Sequence, residues 1–302
     1  MELVDKIRKL KGERKAVILA HNYQLAEVQD IADYVGDSLG LSIQAAKTDA
    51  EVIVFCGVHF MAETAKILSP EKTVLLPDKN AGCPMADMIT AVELRALKAK
   101  HPEAKCLCYV NTPAEVKAEC DVCCTSANAV TVVQEALKGA KEIIFVPDQY
   151  LAAFVASRTG RQFITWQGYC PTHARILPEH VEAARALHPA AVVMVHPECR
   201  PEVIALADTA VSTGGMSQYA RETKAREIIV GTEPGMIHRL KKEVPEKIFH
   251  QISETVICPN MKKTTLEKVL WSLEDMVYRI EVPEEIAGRA RRCIEAMLNV
   301  GR

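Results

Sequence analysis

Cysteine-proline recurs in this chain at a long, nearly fixed period. The pairs are Cys83-Pro84 in KNAGCP, Cys170-Pro171 in WQGYCP and Cys258-Pro259 in TVICP, 87 and 88 residues apart. Each is expected to close a hydrophobic strand. A reactive residue repeated at that spacing predicts three homologous units that each deliver one thiol to a shared place. Three thiolates meeting at one point can hold a metal or a cluster and leave one coordination position open. An open position separates a catalytic metal site from a structural one.

Other residues keep the same register. His21, Tyr109 and His196 open three comparable segments, HNYQLAEVQDIADYVGDS, YVNTPAEVKAECDVCCTS and HPECRPEVIALADTAVST. Tyr23, Asn111 and Glu198 stand two residues further on, and Ser38, Ser126 and Thr213 seventeen further on. Each segment follows an apolar run (AVILA, KCLCYV, AVVMV). A second run follows in each unit (EVIVFC, EIIFV, EIIVG), then a third that leads to the Cys-Pro. Between the runs lie helical patterns. TAVELRALKAK (90–100) carries a capping box in Thr90 and Glu93, and PEHVEAARALH (178–188) places Pro178 in its first turn. Alternating strands and helices imply parallel sheets joined by right-handed crossovers.

The domain boundaries follow from the period. Residues 1–83 form a first α/β domain completed by the C-terminal helices of 259–302, residues 84–170 a second, and residues 171–258 a third. TTLEKVLWSLEDM, after Cys258, reads as the counterpart of the helices that follow the other two Cys-Pro pairs, and a helix near 283–299 caps the structure. In open α/β sheets, sites lie outside the carboxyl ends of the strands. His21, Tyr23, Tyr109, Asn111, His196 and Glu198 all follow strands directly. Three sheets around a pseudo-threefold axis would aim them into one cavity.

Net charge is −2, which offers no basic surface for nucleic acid. The charged N-terminus has no apolar stretch long enough for a signal peptide or a membrane span, so a cytoplasmic location is expected. In a reducing compartment, eleven cysteines are metal-binding, catalytic or buried rather than disulfide-bonded. Cys120, Cys123 and Cys124 contain a CxxC that suits zinc or a redox disulfide, yet they read first as small core residues. So do Cys106 and Cys108, at alternate positions of a strand that places one against a core, and Cys56, Cys199 and Cys293.

Ser38, Ser126 and Thr213 each precede a helical pattern, where an N-cap hydroxyl beside free backbone N–H groups attracts anions. Ser212-Thr213-Gly214-Gly215 adds glycines that allow close backbone approach. Glu198, the one carboxylate at its register, is the candidate general base, with Tyr23 as its proton-donating or hydrogen-bonding partner. His173, three residues after Cys170, is expected beside any metal there.

HNYQ at His21, GDS at Asp37, YVNT at Tyr109, CTSAN at Cys124, HPEC at His196, STGGM at Ser212 and the three Cys-Pro pairs together resemble the quinolinate synthase family across nearly the whole chain. The resemblance implies three three-layer α/β/α domains with parallel sheets, related by pseudo-threefold symmetry around a central active site. It implies a [4Fe-4S] cluster on Cys83, Cys170 and Cys258. It further implies condensation of iminoaspartate with dihydroxyacetone phosphate to quinolinate, phosphate and two waters, a step of NAD biosynthesis. By the same resemblance Ser38, Ser126, Asn111, Tyr109, Ser212 and Thr213 hold carboxylates or phosphate. Glu198, His196, His21 and Tyr23 move protons, and Tyr109 and His173 complete the catalytic set.

Some family members carry a CxxC near the C-terminus; this chain has only Cys293 there, so redox control through that element is not expected. With no GxGxxG fingerprint, iminoaspartate must come from a separate enzyme. The residues alone leave two other readings open. One is a zinc hydrolase on the same three thiolates; the other is a non-catalytic anion-binding protein with buried cysteines.

Overall fold

The computed structural model describes residues 2–300. Twelve strands form three four-stranded sheets. In the first, β1 (Ala16–His21), β2 (Tyr34–Gly36), β3 (Val52–Cys56) and β4 (Thr73–Leu75) lie in the order β2-β1-β3-β4. In the second, β5 (Lys105–Tyr109), β6 (Val122–Cys124), β7 (Ile143–Val146) and β8 (Ile164–Thr165) lie as β6-β5-β7-β8. In the third, β9 (Val192–Val195), β10 (Thr209–Ala210), β11 (Glu227–Gly231) and β12 (Ile248–Gln251) lie as β10-β9-β11-β12. All pairings within the sheets are parallel. The central strands are buried almost throughout, because a parallel sheet has helices on both faces.

The repeated order matters for the site. The first strand of each sheet lies between the second and the third, so successive connections leave it in opposite directions. That creates a switch point between β1 and β3, between β5 and β7, and between β9 and β11. A crevice opens at the carboxyl ends of such a strand pair.

The helices Ala91–Lys100 and Pro178–Leu187 form as the sequence predicts. Thr90 Oγ1 accepts from Glu93 N, and the Glu93 carboxylate accepts from Thr90 N, closing the capping box. Thr90→Ala should cost about 1 kcal/mol, read as a lower denaturant midpoint at unchanged slope.

At the C-terminal end, the helix Leu266–Asp275 lies against the N-terminal helix Leu3–Glu13. Val269, Leu270 and Leu273 pack there on Ile7, Ile18 and Val54 of the first unit. The last helix, Glu284–Leu298, covers β6 and the helix Ala114–Lys117 of the second unit, burying Ala290, Cys293, Ile294 and Met297.

Three expectations need correction. The Cys-Pro pairs do not close strands. Cys83, Cys170 and Cys258 stand in loops after β4, β8 and β12, where proline starts a turn and its missing N–H costs no ladder bond. Each sheet has four strands, not three. The extra strands, β2, β6 and β10, are two or three residues long, too short to show a period. The predicted caps are also displaced. Asp37 caps the helix Ser38–Lys47 by accepting from Gly40 N, and Ser212 caps Thr213–Glu222 by accepting from Gly215 N. Ser126 precedes a short helix, Ala129–Glu135, whose N-cap position is Asn128. No described helix is long and apolar enough to cross a membrane.

Candidate active site

A cavity of about 200 Å³ opens where the strand ends of all three sheets meet. His21, Tyr23 and Ser38 line it from the first unit. Tyr109, Asn111 and Ser126 line it from the second, and His173, His196, Glu198 and Thr213 from the third. Cys83, Cys170 and Cys258 also line it. Ser212 is absent from it, because its hydroxyl is used as a helix cap.

The displaced caps help the site. With Asp37 and Ser212 satisfying the backbone, Ser38 and Thr213 sit one residue inside their helices and still face the cavity. Thr213 Oγ1 accepts from Asn22 Nδ2 at 2.9 Å, which fixes its rotamer and leaves its proton to give. The two helix starts approach closely at Gly214, where a Cβ would stand 2.7 Å from Asp37 Oδ2. Buried Asn111 Oδ1 has no protein hydrogen-bond partner. An orphaned amide at a cavity wall is an anchor for a polar ligand.

Two histidines repeat one local geometry. His21 Nδ1 accepts from Tyr23 N, and His196 Nδ1 accepts from Glu198 N, both at 3.2 Å. The bond leaves each neutral imidazole with its proton on Nε2. His196 Nε2 lies 3.2 Å from Ser126 Oγ.

Glu198 is nearly fully buried and central to the polar network. Tyr109 Oη donates to its Oε1, and His173 Nδ1 contacts its Oε2 at 2.7 Å. His173 Nε2 lies 2.8 Å from Thr232 Oγ1, which in turn bonds Tyr23 Oη. A continuous path therefore runs from Tyr109 through Glu198, His173 and Thr232 to Tyr23. Burial opposes the Glu198 charge, but His196, His173 and Tyr109 outweigh it and hold the carboxyl well below the usual range. Burial, and then the Glu198 charge, push both tyrosines well above theirs. The carboxylate is ionised and the phenols are protonated at neutral pH.

Burial lowers His21 to about 4 and His196 to about 3. A depressed folded value means that the associated stability is complete above the unfolded value of about 6.5 and is lost as pH falls toward 4 and then 3. Two such groups give a loss approaching about 2 kcal/mol per pH unit between pH 6 and 4. Denaturant unfolding of the metal-free protein at pH 7, 6 and 5 measures this. His196→Gln should remove about half of the slope, and an unchanged slope would show that other groups titrate.

The three thiols sit in matching turns. The backbone amides of Met85 and Ala86 stand near Cys83 Sγ, that of His173 near Cys170 Sγ, and those of Asn260 and Met261 near Cys258 Sγ, each favouring the anionic sulfur. Such amide cradles suit an anionic sulfur and tune iron–sulfur sites. Burial pushes Cys83 up to about 12 and raises Cys170 and Cys258, and the thiols also act on one another. As free groups they stay protonated. Three half-buried thiols beside an ionised glutamate become thiolates together only if a cation is supplied, which is what a metal centre does.

A different thiol group, Cys108, Cys123 and Cys293, could also hold a metal ion. It lies in a dry core, away from the cavity wall.

Thr232 did not stand out in the sequence, nor did Asp148 or the Glu233–Lys262 ion pair. Thr232 and Asp148 follow β11 and β7, the other strands of their switch points, so the register EIIFV/EIIVG was the available signal. Asp148 is completely buried; its Oδ1 accepts from the N–H of Tyr150 and Leu151, and its Oδ2 has no hydrogen-bond partner. Lys262 Nζ bonds Glu233 at 2.8 Å and the Tyr23 carbonyl at 2.6 Å, linking the Cys258 loop to the first unit.

Fold and cavity together define an α/β enzyme with buried acid–base groups around a small cavity. The profile of the family described as Quinolinate synthetase A protein matches residues 5–299. A quinolinate synthase of Dehalococcoides mccartyi strain CBDB1 is 62% identical over 99% of both chains. Quinolinate synthase 1 of Methanosarcina acetivorans is 55% identical over 99% of this chain and 98% of its own length, and the enzyme of Geotalea uraniireducens 54% over 100% and 98%. The chain belongs to the quinolinate synthase family.

Proposed function

We propose that the cavity condenses iminoaspartate with dihydroxyacetone phosphate to give quinolinate, phosphate and two waters. The observation that carries this reading is the union of three thiols, an ionised Glu198 and anion-seeking hydroxyls in one cavity. The resident cofactor is a [4Fe-4S] cluster on Cys83, Cys170 and Cys258. When bound, it supplies one iron without a protein ligand, a Lewis acid for an oxygen that must leave as water. The cavity has room beside these sulfurs, whereas the packed Cys108 group has none.

Ser38, Thr213, Ser126, Asn111 and Tyr109 hold the two carboxylates and the phosphate, using hydroxyls and an amide beside two helix starts. Ser212 orients Thr213 through its cap. Glu198 accepts protons; His173 and Tyr109 position it and pass protons along the path to Tyr23. His196 and His21, neutral at working pH, donate from Nε2. Burial of the whole network excludes water from the reacting carbons.

Three α/β/α domains related by pseudo-threefold symmetry around this central cavity account for the shared strand order. Their limits are 1–83 with 259–302, 84–170, and 171–258. The last helix would then reach from the first domain to brace the second. Iminoaspartate is unstable in water, so a separate enzyme supplies it. The enzyme works in the cytoplasm without nucleic acid or membrane partners.

The test is an anaerobic assay of cluster-loaded protein with dihydroxyacetone phosphate and iminoaspartate formed in situ. Quinolinate and phosphate should appear in equal amounts. Protein carrying about four irons that forms neither would overturn the reading.

A further inference from the structure

Five thiols meet between the second sheet and the helix Glu284–Leu298. Cys106 and Cys108 lie two apart on β5 and therefore share a face. Cys123 is the cross-strand neighbour of Cys108 on β6, Cys120 precedes that strand, and Cys293 comes from the helix, 170 residues from Cys123. Cys123 Sγ is 3.1 Å from Cys293 Sγ and 3.4 Å from Cys108 Sγ; Cys108 and Cys293 are 3.7 Å apart. Cys120 Sγ lies beside this triangle, 3.4 Å from Cys106 and donating to the Val116 carbonyl at 3.1 Å, and would turn from them to reach a metal there. All but Cys120 are essentially inaccessible.

A second observation concerns charge. Lys117 is fully buried, its Nζ donating to the carbonyls of Val110 and Thr112. It forms no ion pair among the described residues, although Glu63 lies within range of its field. Its field also reaches Cys108 and Cys123. A buried ammonium without an ion-pair partner is costly, and its two carbonyl bonds and the Phe60 ring 5.4 Å away offset only part of that cost. An anionic group in the thiol cluster would compensate it.

We propose that Cys108, Cys123 and Cys293 form a second, mononuclear site for a thiophilic cation, Zn²⁺ above all, with Cys120 as the fourth sulfur. Zn–S bonds of about 2.3 Å in a tetrahedron place sulfurs about 3.8 Å apart, so this triangle needs only to spread slightly. Four thiolates around one Zn²⁺ carry a net charge of −2, of which the Lys117 ammonium offsets one unit. Each thiol that binds releases its proton to solvent and no electron moves. The site is closed, with no position for substrate. It therefore acts structurally, fastening the last helix to the second sheet, and it stands independently of the cavity chemistry.

The experiment is zinc and iron analysis of the cluster-loaded protein, expressed with zinc and purified anaerobically without chelator. One zinc per chain is expected. It should persist in the Cys83→Ser/Cys170→Ser/Cys258→Ser variant, which loses iron, and disappear in Cys293→Ala and in Cys123→Ala. Should either alanine variant fold poorly, Co²⁺ exchange into the wild-type chain gives an independent readout, since thiolate ligation adds intense near-ultraviolet charge-transfer absorption. Wild-type protein that takes up neither metal would overturn the proposal. So would zinc that is lost with the cavity cysteines, or a Cys123–Cys293 disulfide in the anaerobic protein.

Discussion

Cys170→Ala should lose its brown colour and most of its iron, and its quinolinate formation should fall by about a thousandfold or more, while the chain remains folded. The size follows from what the sulfur supports. A Lewis acid at the departing oxygen is worth several kcal/mol, and each 1.36 kcal/mol is tenfold in rate. Folding should survive because Cys170 sits half-buried in a loop rather than within a strand. Its loss also removes the contact of His173 Nδ1 with the sulfur, 3.2 Å away, a small cost beside that of the cofactor. Cys56→Ala is the control. That thiol is fully buried on β3, and its removal should cost stability but leave iron content unchanged. A Cys170→Ala protein with full iron and wild-type turnover would remove the three-thiolate site from this cavity.

The period of the chain made the three repeated sheets legible. Equal spacing of Cys83, Cys170 and Cys258 announced three units, and the structure contains three sheets of identical strand order. Strong apolar runs such as AVILA and EVIVFC were readable because a buried parallel strand is apolar on both faces. The short strands were not, since Tyr34–Gly36 and Thr209–Ala210 lack the length for any pattern. Caps were misplaced by one residue for a related reason. Neighbouring Asp37 and Ser38, or Ser212 and Thr213, are all good caps, and only tertiary contact decides which turns inward. Thr232 escaped notice because a threonine after a strand is ordinary. Its meaning comes from Tyr23 and His173, which lie far away in sequence. Nor could spacing join Cys293 to Cys108 and Cys123, since the packing of the last helix on β6 lies outside the threefold register.

Glu198→Gln should lower kcat by about a hundredfold to ten-thousandfold, the range for losing a positioned general base. KM should change only a few-fold, and iron content should be normal. The substitution keeps shape, so the lining of the cavity is preserved. What changes is proton inventory. Glutamate accepts from both Tyr109 Oη and His173 Nδ1, and as a carboxylate it gives nothing back. An amide can accept from only one of them through its oxygen; its NH₂ meets the other as a donor. If that partner is His173, Nδ1 must become an acceptor, the proton moves to Nε2, and the bond to Thr232 reverses direction. The path to Tyr23 is then set the wrong way for transfer. Glu198→Asp separates charge from reach, because it keeps the anion and withdraws it by one methylene. It should recover part of the lost rate. A Glu198→Gln enzyme that raised KM and spared kcat would make Glu198 a binding group, and the proton acceptor would then have to be sought at His196 or His21.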